Sequence, residues 1–510
     1  MIQDNFSLAG KTATEALAVA GAVMAEAKAD RSFRGENYER NWDVYNNIHA
    51  KYFRQRLDED NAVFKHRQNN PVKTNLCGFT VDLSARYLYG KASKIIRIYS
   101  KLLETQKGMS TLTKKFHYDS FFLDVARKVS IFGEGLVRLI PVDSKTNAPV
   151  YDVSTETSYP HPIFSDPRSS FVKTNRCGKI DAVVLLYTQR DYVKSTTMAV
   201  LELVVNDSRW IWKTDSFNLM QGGISTLGNV APETTANEYG LDTEFVYLVN
   251  NDDLKSDLVD IVDLNIALDE ALTDKQHFFQ KHGWPQMVSE VDLSQVQFSP
   301  NKIWEIASDY GQGKVMDKFG FLTWDGKMED HAKFVKNLER NIMILSNTAA
   351  ISTGDLEAIG QLRSGAALIT AHSVAIHKTE AKQVVWERNE IAFIKAIAQF
   401  DSYLHNVPVE ARYKELAPII RFPRDFVPGA EHERVQIQQI ELNSHLRPLN
   451  DLLQENYGGL DDEQIDEKRQ LIIKDSEEII DSARLFESVK ADQTPMQKSK
   501  TQTRNIPNQG

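Results

Sequence analysis

The sequence predicts an α+β chain organised around long helices. Three observations carry this. Apolar residues keep helical spacing up to Phe132. Short β-branched and aliphatic runs then continue to Val249. Residues 256 to 404 read as helix, small β segment, helix, loop and long helix.

The last stretch sets the architecture. Asp257 to His282 carries Leu258, Ile261, Leu268, Leu272 and Phe279 at helical spacing, with Asn265 as a polar interruption. Ser256 reads as its N-cap, and Gly283-Trp284-Pro285 stops it. Gln286 to Gly326 is turn-rich, and Val291 to Phe298 partly alternates. A second helix, Lys327 to Asn347, carries Met328, Val335, Leu338, Ile342 and Leu345. Thr348 to Leu362 is small-residue, glycine-containing chain. Arg363 to Leu404 has no Pro or Gly after Gly365 and predicts a helix of about ten turns. Globular helices average about 11–12 residues, so one this long spans a bundle or an assembly.

The flanking elements follow in order. Residues 1–69 read as helical arms, broken at Asn69-Asn70-Pro71. Phe33, Tyr38, Trp42, Tyr45 and Tyr52 lie there on a polar background, the pattern of a segment that docks on a partner subunit. Val72 to Lys91 feeds a helix ending at Gly90, and Tyr118 to Phe132 is a helix ending in Gly133-Glu-Gly135. Strands are predicted at Leu136–Pro141, Lys179–Tyr187, Met198–Val205, Arg209–Lys213 and Phe245–Val249. Tyr159-Pro-His-Pro162 and Gly222-Gly223 read as turns. Ile419 to Phe422 is a short strand; 431–490 is mainly helical and charged, and 491–510 reads as disordered.

Composition bounds the function. Of 510 residues, 42% are hydrophobic and 25% charged, which is globular usage. The formal charge of −10 argues against tight nucleic-acid binding, which needs clustered cations. Cys77 and Cys177 are too few and too scattered for a disulfide framework and read as reduced thiols. No run approaches the ~18 apolar residues of a membrane span. The chemistry of an enzyme is also missing. Gly311-Gln-Gly313-Lys314 lacks the earlier glycine and the Ser/Thr of a phosphate loop. His372 and His377 are separated by about 140° of helical rotation and share no metal-binding face. The acidic run from Asp461 lacks the register of a calcium loop. No catalytic residue, metal site or cofactor is expected.

Five stretches carry a family likeness. They are Asn70 to Lys91 with its Tyr-Leu-Tyr-Gly-Lys ending, Ala126 to Leu136 around Phe132-Gly133, Asp257 to Glu270, Arg363-Ser-Gly-Ala-Ala-Leu368, and Arg421-Phe-Pro-Arg-Asp-Phe-Val-Pro428. In this order the chain resembles a portal protein of tailed double-stranded DNA bacteriophages, the siphophage-type head–tail connector family. The likeness runs from about Asn70 to Glu478.

The resemblance implies an α+β portal-type fold in a ring, with no catalysis. Residues 1–69 become an N-terminal arm, 70–255 the first part of the wing, 256–283 a stem helix and 284–326 the clip. Residues 327–348 become the second stem helix, 349–362 the tunnel loop, 363–430 the long helix and wing strand, and 431–490 the crown. It implies a ring of twelve copies around double-stranded DNA. Expected partners are the terminase large subunit, the head–tail adaptor, and the major capsid and scaffolding proteins, with no membrane. Thr348, Ile351, Ser352, Thr353, Gly354, Asp355 and Glu357 become channel-lining candidates, with Asp355 and Glu357 an acidic collar that lets DNA slide. Lys314, Lys318, Lys327, Lys333, Lys336 and Arg340 are candidates for channel or intersubunit charges. Pairing with Glu329, Asp330 and Glu339 stays open for those on the second stem helix. An oligomeric scaffold or adaptor without a DNA-translocation role is the alternative function.

Overall fold

The computed structural model describes residues 8, 10–57, 59–90, 95–146, 148–150, 158–175, 178–191, 196–215, 227–282, 286–289, 319–322, 328–348 and 365–422, with isolated positions beyond 437. The chain divides into two units, residues 1–428 and 429–510. In the second, 438–440 are helical, and Leu453 and Ile465 are buried. Residues 349–362, 491–510 and most of 284–326 lie outside the described residues, as does Gly222-Gly223. The elements below belong to the first unit.

The N-terminal helices are built into the chain's own core. Helix α1 (Ala13–Phe33) starts at a capping box in which Thr12 and Glu15 satisfy each other's backbone N–H groups. Its Ala16, Leu17, Ala20, Val23 and Met24 recur at helical spacing and bury against Phe171, Val184, Leu201, Leu203 and Trp212 of the sheet. Helix α2 (Tyr38–Tyr45) and the 3-10 turn His49–Tyr52 add Tyr38, Val44 and Phe53 to a second core cluster. Trp42 stacks on Phe132 at 5.9 Å, and Tyr45 and Tyr52 pack against the same cluster. Of the five aromatics expected to face a partner, only Phe33 is open, at 91% exposure. The polar background misled because the aromatic spacing serves an internal contact.

Helices α3 (Asn61–Asn69) and α4 (Leu76–Tyr89) lead to a short strand, β1 (Ile96–Ile98). Helices α5 (Leu103–Lys114) and α6 (Tyr118–Phe132) follow. Strand β2 (Glu134–Asp143) lies between β3 (Ser158–Ser165) and β9 (Phe245–Val249) in a three-stranded antiparallel sheet. Strands β4 (Ser170–Thr174), β5 (Ile180–Asp191), β6 (Thr196–Val205), β7 (Ser208–Asp215) and β8 (Glu233–Ala236) form a five-stranded antiparallel meander. β5 is buried on both faces. Ala182 and Val184 meet α1, whereas Ile180, Val183 and Leu185 meet Leu136, Leu241 and Phe245. Leu241 belongs to a single-turn helix, α7 (Leu241–Glu244).

One predicted turn is a strand. Tyr159 to Pro162 lies within β3, with Pro160 opposite Pro141 and Pro162 opposite Leu139. Prolines two residues apart put their missing donors on one side of the strand, and an edge strand has a side that needs none.

Helix α8 (Val262–His282) and helix α9 (Met328–Leu345) bracket β10 (Gln286–Ser289) and β11 (Phe319–Leu322), which pair antiparallel. Helix α10 (Gly365–Leu404) is 40 residues long. Its Trp386, Phe393, Ile397 and Phe400 fill the largest core with Tyr89, Phe122 and Val125. Glu390 is fully buried there, and its carboxylate accepts from Tyr89 Oη at 2.7 Å, Tyr118 Oη at 2.9 Å and Arg97 Nε at 2.9 Å. A buried carboxylate is tolerable only when satisfied in this way. After α11 (Val409–Arg412), β12 (Ile419–Arg421) returns to pair with β1. Cys77 is a buried free thiol.

Helix α8 begins later than expected. Residues 257–261 form turns, where Asp257 N–H donates to Ser130 O at 2.9 Å and Leu258 N–H to Ser256 Oγ at 2.9 Å.

Gly133 ends α6 with φ of +81°, and a Cβ there would lie 2.4 Å from the Leu254 carbonyl oxygen. Gly178 has φ of +78° and open space around it. Gly178→Ala is therefore expected to cost about 1 kcal/mol of backbone strain. Gly133→Ala should cost about 3 kcal/mol or more, because strain and clash combine. Urea denaturation of both variants checks the difference, and equal losses would contradict the close approach.

Candidate functional site

The helix pair α8 and α9 holds the charged residues singled out in the sequence. The two pack through Ile266, Leu268 and Ala271 on α8 and Val335, Leu338 and Ile342 on α9. Asn265, the polar interruption, is buried for a reason. Its Oδ1 accepts from Cys77 N–H at 2.9 Å, and its Nδ2 donates to Thr74 O at 2.8 Å. Asp269, one turn on, accepts from Thr74 N–H at 2.8 Å and Thr74 Oγ1 at 2.7 Å and pairs with His49. These bonds fix α8 against the segment before α4.

The opposite face of α9 is solvent-exposed. Lys333, Lys336 and Arg340 are all exposed, and their spacing of three and four residues puts them on one stripe. Glu329 falls on the same stripe, so its net charge is small and positive. Lys333 lies 3.8 Å from Asp330, with both side chains more than two-thirds exposed, a pair worth little in water. Among the described residues, Lys336 and Arg340 have no ion-pair partner. Intrahelical pairing therefore accounts for Lys333 alone. Phe334, Ile344 and Leu345 are also exposed on α9.

Thr348 closes α9. Asn347 adopts φ of +56°, its N–H donates to Ile344 O at 3.1 Å, and Thr348 N–H donates to Met343 O at 3.0 Å. This is a Schellman-type end with Asn in the left-handed position. Ile351, Ser352, Thr353, Gly354, Asp355 and Glu357 lie outside the described residues, as do Lys314, Lys318 and Lys327.

The root of α8 is the most densely charged buried region nearby, and sequence reasoning passed over it. Asp257 bonds Lys382 and Ser130 Oγ and sits 3.2 Å from Lys378 Nζ. Burial pushes the Asp257 carboxyl up, but Lys378 and Lys382 outweigh this and hold it well below the usual carboxylate range. Burial lowers the Lys382 ammonium to about 8 against the pull of Asp257. A signal was available, because Lys382 falls on the same α10 face as the buried Ala375, Thr379, Trp386 and Asn389.

Next to it, Glu36 accepts from Ser256 N–H at 2.6 Å and Asn41 Nδ2 at 2.8 Å. Burial pushes its carboxyl up to about 7, against those two hydrogen bonds and Arg34. Glu134 pairs with Arg31 at 2.9 Å and Arg34 at 3.2 Å. Burial raises its carboxyl too, but Arg31, Tyr247 and Arg34 prevail and hold it below the ordinary range.

With this geometry in place, the comparison with protein families is decisive. Residues 27–437 match the family described as "Phage portal protein, SPP1 Gp6-like". The chain belongs to the phage portal protein family. The match takes in residues 27–69, which the resemblance had left outside, in agreement with their burial in the core. It ends at 437, short of Glu478. Membership makes the chain a structural component of the virion, and the family implies homo-oligomeric assembly with capsid partners. No curated protein matches the chain. A chain in a solved structure described as "Virion of native gene transfer agent (GTA) particle" is similar at 10% identity and a TM-score of 0.38. That likeness covers 81% of this chain and 98% of the other, and at such a score it carries no argument. Among the described residues no helix is long and apolar enough to cross a membrane, and no acid, His and Cys cluster could hold a metal ion.

The raised Glu36 carboxyl makes stability depend on pH. The folded chain holds this proton more tightly than the unfolded chain, so its contribution is present below pH 4.5 and lost as pH rises through about 7. The slope amounts to roughly 3 kcal/mol between those values. Glu36→Gln should remove that part of the slope in denaturation curves measured from pH 4.5 to 8.

Proposed function

We propose that the chain forms the ring-shaped channel at one capsid vertex through which double-stranded DNA is packaged and later ejected. The observation that carries this reading is the exposed stripe Lys333, Lys336 and Arg340 on the face of α9 away from α8. In a family whose members assemble, such a face meets either a neighbouring copy or the contents of the ring. A stripe of small net positive charge gives weak, salt-sensitive contact with phosphate, suited to a surface along which DNA must slide. The exposed apolar residues support assembly. Val374, Ala381 and Val384 on α10 recur at helical spacing, and Phe334, Ile344 and Leu345 are open on α9. A second copy of the chain is the natural cover for them.

In this reading α8 and α9 are the stem of a ring of twelve. Residues 284–326 are the clip, which docks the terminase large subunit and afterwards the head–tail adaptor. Residues 70–255 with 363–430 are the wing, and 431–490 the crown, facing the major capsid and scaffolding proteins. The 349–362 loop, with Thr348 at its start, narrows the channel. Asp355 and Glu357 there repel phosphate.

Charge reversal tests both halves. Lys333→Glu, Lys336→Glu and Arg340→Glu together should leave assembly intact and abolish retention of linear double-stranded DNA by purified rings at low salt. Asp355→Lys with Glu357→Lys should raise retention and steepen its salt dependence. Rings that assemble and retain DNA unchanged in both variants would overturn the channel assignment.

A further inference from the structure

One buried carboxylate ties the long helix α10 to the packed pair α8 and α9. Asp257 stands at the root of α8. Its Oδ1 lies 3.2 Å from Lys378 Nζ, and its Oδ2 bonds Lys382 and Ser130 Oγ. Lys378 and Lys382 are one turn apart on α10, so both project from one face. Lys378 also donates to the Ser346 carbonyl at 2.9 Å, at the C-terminal end of α9. A cation there complements the helix dipole. Lys382 spends its remaining donors on Ser84 Oγ at 2.9 Å and Asn250 Oδ1 at 3.1 Å. All three of its protons are thereby used. The side chains of Asp257 and Lys382 are each 2% exposed. The start of α8, the end of α9 and one turn of α10 therefore share one ion cluster, buried at Asp257 and Lys382 and partly open at Lys378.

A buried pair of this kind has one good geometry. Sliding α10 by a turn, about 5.4 Å, would bring Val374 to the place of Lys378 and cut the bond to α9. Moving α8 alone would strand two ammonium groups. We propose that the Asp257–Lys378–Lys382 cluster is a coupling joint that makes α8, α9 and α10 move as one conformational unit. A displacement of the long helix is then passed to both members of the helix pair at once. The joint does not depend on whether that pair lines a DNA channel.

Hydrogen exchange read by mass spectrometry on the full-length assembled protein tests the joint. Lys378→Met keeps the Asp257–Lys382 pair and removes the link to α9. It should speed exchange about tenfold or more at Ser346, Asn347 and Thr348, and also at Ile261 and Val262 across the cluster. Lys395→Met, at an exposed position of α10 outside the cluster, should change neither region. Asp257→Asn should loosen both regions and residues 376–384. Adding Lys378→Met to it should then have little further effect at 343–348, because one interaction has already been lost. Loosening by Lys378→Met that stays within 346–348, or additive effects in the double variant, would overturn the proposal. Should Asp257→Asn fail to fold, Lys378→Met with its Lys395→Met control decides alone.

Discussion

The fold depends on holding one ionised carboxylate in a place without water. Removing a charge from solvent costs several kcal/mol, and the cost is offset only when partners and hydrogen bonds are all in position. Around Asp257 they are. Two lysines come from α10, a hydroxyl from the end of α6, and the flanking backbone is tied by Ser130 O and Glu36. Gly133 lets the 254–256 backbone pass close enough for this, since a side chain there would meet it. Swapping such a cluster for apolar residues is often neutral for stability, whereas removing one member is strongly destabilising. What the cluster supplies is a single relative position for three helices.

That position matters because the same helices present the charged face. α9 buries Val335, Leu338 and Ile342 against α8 and turns Lys333, Lys336 and Arg340 outward. Its far end is closed by Asn347 and Thr348 and held by Lys378. The N-terminal segment braces the root from the other side, through Arg34 on the Leu254 carbonyl and Glu36 on Ser256. A family match that begins at residue 27 is consistent with a brace that belongs to the fold.

Much of this was legible in the residues. Helix α6 and strand β9 fall where periodicity placed them, and the helix, β pair, helix order from 256 to 345 follows from spacing and stop signals. The family likeness supplied the portal reading. The failures share a cause, because each concerns contact between distant segments. Tyr159 to Pro162 looks like a turn until β2 supplies a partner on one side only. Ile96 to Ile98 is too short to read as a strand without β12 opposite it. Tyr38 and Trp42 look like docking residues because their cover, Phe132, lies far along the chain. Lys382 lies on the buried stripe of the long helix, but nothing local announces its partner carboxylate at 257.

The central claim is that the chain closes into a ring with the outward face of α9 turned to its centre. Electron cryomicroscopy of the purified protein measures this directly. The account predicts closed rings with a central hole lined by the Lys333, Lys336 and Arg340 stripe. Compact dimers, open filaments, or rings that carry this stripe on their outer surface would contradict it.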